Sequence, residues 1–269
     1  MEVAGEAGQP LILYGRHPIL EAIRSGARRI EELVVEEGAR NRDGELVALA
    51  RQAGVRCSQA PRSALTALAG TPHHQGVVAR IAAWPYAALE DVLAVPRVRG
   101  EASLFLALDQ VQDAGNVGNL LRTAEALGVH GVFLLRHQAA GLTAHVAKAA
   151  AGALAHLAVA RVGNLVQTLD ILKGEGCWVV GATAGGEAPP PWRLDLKGPV
   201  AVVLGSEERG LRPLVTRRCD ALTRIPLTGR VGSLNVAAAG AALLYEIARQ
   251  RARGGGGNEK RVDSRELGA

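Results

Sequence analysis

The chain has 269 residues, 48% of them apolar but only 3% aromatic, and a formal net charge of +5 at pH 7. That length admits two domains or one large one, and the core has to be built from Ala, Val and Leu. No run approaches the ~18 uncharged apolar residues of a membrane span, and the first stretch, MEVAGEAGQP, is acidic with no apolar leader segment, so a soluble cytoplasmic chain without a membrane partner is the expectation.

Residues 11–85 read as a small α/β unit. A helix starts at Pro18, with proline near its first turn, and ends before Gly26. Ile30 to Val35 alternates into a strand, and Leu46, Leu49, Ala50 and Ala53 form a helical stripe closed by Gly54. A short strand at Val55–Cys57, a helix at Pro61–Ala69 and a strand at Val77–Ile81 follow. The intervening Gly70-Thr71-Pro72-His73-His74-Gln75-Gly76 is a loop. Arg16, Arg24, Arg28 and Arg29 cluster around the first helix; they suit either a solvated face or a phosphate-gripping surface.

Residues 86–100 contain Pro96 and read as a linker, with a short helix near Ala88–Val95. From 101 to 252 the pattern is regular strand–helix alternation. The expected strands are Ser103–Leu108, Gly131–Leu135, His156–Val162, Cys177–Thr183, Pro199–Gly205 and Ala221–Leu227, and the expected helices lie near 118–127, 143–151, 164–173, 211–217 and 235–250. Continuous apolar strands between helices predict a parallel sheet covered on both faces. Residues 253–269, with four consecutive glycines and mixed charge, read as a disordered tail.

Cys57, Cys177 and Cys219 are odd in number and contain no C-x-x-C, so Cys57 and Cys177, which fall in apparent strands, read as buried thiols. No His/Cys grouping has zinc spacing, and no metal is expected. A pI near 9.5 is compatible with a polyanionic partner, but the excess charge is thinly spread.

Three polar loops follow strands. One runs from Asp109 to Gly118 into a helix bearing Arg122; one is Ser206-Glu207-Glu208-Arg209-Gly210; one ends in Ser233-Leu234-Asn235 before a small-residue helix. In open α/β sheets that carboxyl edge is where ligands sit. Taken singly, Asn116 and Asn235 are also plausible helix caps and Glu207 a helix-dipole carboxylate. No G-x-G-x-x-G follows the first strand of the second unit, no P-loop motif exists, and G-x-S-x-G is absent. These absences disfavour nicotinamide, P-loop and hydrolase chemistry.

Taken together, Asn116-x-Gly118-x-x-x-Arg122, Leu204-Gly205-Ser206-Glu207, and Ile225-Pro226-Leu227 with Ser233-Leu234-Asn235 resemble the three motifs of the SpoU/TrmH family. These are S-adenosylmethionine-dependent RNA ribose 2′-O-methyltransferases. Gly15-Arg16-x-Pro18-x-x-Glu21-Ala22 and His74-Gln75-Gly76-Val77 resemble the family's L30e-like RNA-binding domain. The resemblance implies an α/β chain with a SPOUT domain at 101–252, knotted as a C-terminal trefoil, behind an L30e-like domain at 1–85. It implies a homodimer acting on a guanosine ribose of large-subunit rRNA, with tRNA guanosine or a catalytically silent RNA-binding module as alternatives. It places Gly205, Ile225 and Leu234 around the cofactor's adenosine, and Asn116, Arg122, Glu207, Ser233 and Asn235 at the reacting end. Arg122 would be the catalytic residue, and Arg16, Arg24 and Arg28 would meet RNA. Glu208-Arg209, where members commonly have Gly and a variable residue, and Ala237, where many have Ser, depart from the pattern.

Overall fold

The computed structural model describes residues 11–25, 30–38, 40–82, 84–230 and 232–254. Arg28, Arg29 and the stretch from 255 onward lie outside them.

The first sheet has the order β1-β4-β2-β3, from Leu11–Tyr14 (β1), Val77–Ile81 (β4), Ile30–Glu36 (β2) and Arg56–Ala60 (β3). Only β2 and β3 run parallel. Leu33, Val35, Val77, Ala79 and Ile81 pack with Ile19 from α1 (Arg16–Ser25) and with Leu46 and Ala50 from α2 (Arg40–Gln52). The opposite face buries Val34 and Val78 under Leu65 of α3 (Arg62–Ala69). Both faces being covered explains the apolar Leu33-Val34-Val35 run within β2.

His74 is fully buried in the 70–76 loop. Its Nδ1 accepts the Gly76 N–H at 3.1 Å, which leaves Nε2–H to donate to Thr66 Oγ1 at 3.1 Å. Next to it Gln75 adopts a left-handed φ of 57°, and its Oε1 accepts the Arg16 N–H at 3.1 Å. The two sequence stretches at 15–22 and 74–77 are thereby joined, since the second closes over the start of α1.

The 86–100 stretch, expected as a linker, holds a helix, α4 (Leu89–Arg99), that belongs to the packing of the second sheet. Val92 and Leu93 are buried there beside Phe133 and Ala160, because a single apolar stripe in a short helix needs a sheet to cover it.

The second sheet is wholly parallel, in the order β10-β8-β9-β5-β6-β7. Its strands are Leu104–Asp109 (β5), Gly131–Leu135 (β6), Ala158–Val162 (β7), Trp178–Ala182 (β8), Val200–Gly205 (β9) and Ala221–Thr223 (β10). The period-2 alternation of a strand divides β5 between two cores. Leu104, Leu106 and Leu108 pack with α5 (Ala114–Ala126), α6 (Ala144–Ala149) and α9 (Val236–Gly254), while Phe105 and Ala107 pack with α4, α7 (Leu165–Gly174) and α8 (Pro213–Arg218). Each fully buried leucine contributes about 1.5–3 kcal/mol relative to exposure. Phe105 and Phe133, the chain's two phenylalanines, meet in the second core with ring centres 5.7 Å apart.

Two expectations change. The last strand ends at Thr223, not Leu227, because Pro226 has no N–H to give a ladder and Arg224 N–H turns to Pro189 O at 3.2 Å. Helix α9 extends to Gly254, so residues 253 and 254 of the expected tail are helical.

Burial raises the Cys177 and Cys219 thiols to about 11 and raises Cys57 by a smaller amount. Since the thiolate is the nucleophile, iodoacetamide at pH 8 should modify Cys57 first in the native chain. The two slow thiols should accelerate as the pH rises toward 10, which mass spectrometry of the labelled peptides would follow. Among the described residues no helix is long and apolar enough to cross a membrane, and no group of three His, Cys, Asp or Glu could hold a metal ion.

Candidate active site

At the carboxyl edge of the second sheet lies a cavity of about 360 Å³, a size suited to a small organic ligand. Its wall comes from four places: residues 182–185 after β8, 204–210 after β9, Thr223, Ile225 and Leu227 after β10, and Ser233 to Leu243 at the start of α9. The strand order explains the position. β8, β9 and β10 are neighbours on one side of β5, so their carboxyl ends bring the loops that follow them together there, away from β6 and β7.

The turn after β9 is closed by short-range bonds. Gly210 N–H donates to Ser206 O at 2.9 Å and Arg209 N–H to Ser206 Oγ at 3.3 Å. A side chain on Gly205 would place its Cβ 2.1 Å from the Gly210 carbonyl carbon. Only the absence of a side chain lets the two arms of this turn touch.

Beneath the turn, Asp109 ends β5 with no exposed surface. Its Oδ1 accepts from Arg212 Nε at 2.7 Å and its Oδ2 from the Arg212 N–H at 2.9 Å, so one carboxylate fixes both the side chain and the backbone where the turn leaves the cavity. The sequence reading missed this residue, although an acid closing an otherwise apolar strand was the available signal. Asp109→Ala should cost about 2–3 kcal/mol in chemical denaturation. That is at or below the low end for a broken buried pair, because the Arg212 side chain is 39% exposed and can turn to water.

Three of the residues singled out in the sequence meet through their side chains. Asn116 Nδ2 donates to Glu207 Oε1, and Asn235 Nδ2 donates to Asn116 Oδ1 at 2.9 Å. Asn116 does not cap α5; Asp113 does, accepting the Asn116 N–H at 2.7 Å. The Asn116 amide is therefore free to bridge the other two loops. Asn235 does both jobs, since its Oδ1 accepts from Ala237 N–H at 2.9 Å and Ala238 N–H at 3.3 Å at the mouth of α9. Glu207 sits in the turn after β9, away from the start of α8 at Pro213, so the helix-dipole reading does not apply.

Gly205, Ile225, Leu234, Ser233 and Glu207 line the cavity. Arg122 does not join them. It is exposed, with no hydrogen bond or ion pair among the described residues. The physical reason is angular: six residues turn an α-helix by about 600°, which leaves Arg122 about 120° round the axis from Asn116. In the first sheet's unit, the Arg16 guanidinium is bonded to the buried carboxylate of Asp43 at 2.9 Å, while Arg24 is exposed.

A further feature was not legible in the sequence. Gln110 and Gln138, after β5 and β6, both have positive φ, 60° and 59°, and Gln110 Nε2 donates to Gln138 Oε1. Such strained backbone gathers at working sites.

Comparison with known proteins agrees with this geometry. The profile described as the SpoU rRNA Methylase family matches residues 103–245, and one described as RNA 2′-O ribose methyltransferase substrate binding matches residues 12–87. The chain is 38% identical over 240 residues to a protein of Bacillus subtilis strain 168 named as a TrmH family tRNA/rRNA methyltransferase, covering 89% of this chain and 95% of that one. It is 39% identical over 241 residues to the 23S rRNA (guanosine-2′-O-)-methyltransferase RlmB of Ralstonia nicotianae, covering 89% and 96%. Among solved structures it is similar to the AdoMet-bound rRNA methyltransferase of Sinorhizobium meliloti, with a TM-score of 0.69 and 25% identity over 90% of this chain and 87% of that one.

Proposed function

The chain belongs to the SpoU rRNA methylase family, and we propose that it transfers a methyl group from S-adenosylmethionine to a ribose 2′-oxygen of RNA, with a guanosine of 23S rRNA as the target. The second sheet carries the SPOUT methyltransferase fold. The observation that carries the reading is the Glu207–Asn116–Asn235 chain, which ties together three loops far apart in sequence at the rim of one cavity.

The cavity fits the cofactor. Leu204, Ile225, Leu234 and Leu243 offer apolar walls for an adenosine, Gly205 lets backbone approach closely, and Glu207 puts a carboxylate toward a cationic ligand. Bound there, S-adenosylmethionine supplies an electrophilic methyl on a sulfonium whose sulfur keeps the electron pair when the bond breaks. Transfer to a ribose 2′-oxygen would form the new O–CH₃ bond and release the hydroxyl proton to solvent water. A guanidinium is a poor base, so Arg122 stabilises the oxygen's developing negative charge. Its exposure, with no partner among the described residues, leaves it available to incoming RNA. Asn116 and Asn235 hold the loops in register, and positioning of this kind supplies much of the rate. Ser233 completes the rim.

The unit at 1–85 is proposed as the RNA-binding domain, with Arg24 exposed for phosphate contact and Arg16 holding α1 to α2 through Asp43. Arg28 belongs to the same proposal. We infer a cytoplasmic homodimer with a knotted C-terminal segment; exposed Tyr245 on α9 and Trp192 on the 191–193 turn, whose Pro191 O accepts from Gln250 of α9, support a self-associating surface there.

The test incubates purified protein with labelled S-adenosylmethionine and separate rRNA and tRNA substrates, then maps the label. Ribose 2′-O label in 23S rRNA supports the reading, and label in tRNA moves the target. Label on a base, or none on any RNA, overturns the reaction.

A further inference from the structure

Three charged residues, Glu207, Glu208 and Arg209, all exposed to solvent, stand among those lining the cavity attributed to S-adenosylmethionine. Glu207 is engaged by Asn116. Glu208 and Arg209 have no side-chain hydrogen bond or ion pair among the described residues, to each other or to anything else. They sit at the tip of a five-residue turn pinned at both ends by the Ser206–Gly210 bridge, so the backbone keeps both residues beside the cavity. The wall carries two acids against one base, and one of the acids is uncommitted.

Methyl transfer changes the charge of the ligand. The donor and its demethylated product share adenosine, α-ammonium and α-carboxylate, and differ in that the sulfonium becomes a neutral thioether. A free carboxylate near the sulfur attracts the donor more than the product. We propose that Glu208 is a specificity-determining residue that favours the cationic methyl donor and weakens retention of the neutral product. This rests on the reading of the cavity as the cofactor site. Arg209, by contrast, suits the α-carboxylate that both ligands carry, and so adds affinity without discrimination.

Isothermal titration of the full chain separates these effects. The probes are S-adenosylmethionine, S-adenosylhomocysteine and sinefungin, which carries an amine in place of the methylsulfonium and so keeps a positive charge. Glu208→Gln is expected to weaken the two cationic ligands roughly 3–5-fold, the scale of one exposed charge interaction, and to change S-adenosylhomocysteine less than about twofold. Glu208→Asp should restore part of the preference, and added salt should compress it in the wild type. Parallel weakening of all three ligands would place Glu208 on the shared amino-acid end and overturn the proposal, as would no change in any. Failure of the wild type to bind any of the three would instead reject the cofactor reading of the cavity.

Discussion

Arg122→Ala is expected to slow methyl transfer to RNA by about 10²–10³-fold, the usual consequence of removing one donor that stabilises developing charge. Affinity for S-adenosylmethionine should stay within about twofold. The separation follows from the structure: Arg122 is exposed on α5, lies outside the cavity wall, and holds no other residue in place among those described. Its loss therefore leaves the fold and the cofactor site intact and acts on the RNA side alone. Single-turnover methylation beside titration of the cofactor gives both numbers. Arg122→Lys keeps the charge but loses the planar fork, so a partial rescue would mark charge, and none would mark geometry. Unchanged methylation in Arg122→Ala would remove the residue from the mechanism.

Gly205→Ala should be the most damaging single methyl addition in the second sheet. The added Cβ would meet the Gly210 carbonyl carbon at 2.1 Å, its oxygen at 2.3 Å and Leu211 N at 2.4 Å, all backbone atoms that cannot rotate away. Overpacking of this kind costs about 1–3 kcal/mol, and here the relief has to come from opening the turn that forms the cavity wall. Loss of S-adenosylmethionine affinity of about 50-fold or more is expected by titration, with a lower midpoint in thermal unfolding. Gly210→Ala is the informative contrast. Gly210 has a left-handed φ of 63° but nothing within 4 Å of an added Cβ. Its cost should be the backbone term alone, about 1–2 kcal/mol, with most of the cofactor affinity retained. Equal damage from both would mean that the turn's conformation, rather than the touching of its arms, is what the cavity requires.

Strands buried on both sides announce themselves, and Gly131–Leu135 has the same bounds in the sequence reading and in the structure. Elements whose apolar residues serve something other than the sheet were misjudged. Ile225 and Leu227 looked like strand continuation, yet they face the cavity. Helix α5 begins at Ala114 rather than near Gly118, since Asp113 caps it there. Gly118 is instead where α5 and α6 pack so closely that a Cβ would lie 2.4 Å from Ala149 Cβ. Strand β1 went unread since its only partner, β4, lies more than sixty residues downstream. The bridge from Asn116 to Glu207 and Asn235 spans 91 and 119 residues. Strand–loop alternation put the three loops at one edge of the sheet, but no local pattern encodes these bonds, and the resemblance of the three motifs named the residues. Asp109 was overlooked because its meaning depends on Arg212, 103 residues away.

The place of β5 in its sheet has a kinetic consequence. Its edge opposite β6 is filled by β9, which pairs Leu104 with Val200, so a nascent chain carries the bare edge of this largely apolar strand until β9 emerges, about 5–20 s later at common elongation rates. Pairings this distant also make refolding slow. During synthesis the hazard is edge-to-edge aggregation, and it lasts until about three quarters of the protein has been made.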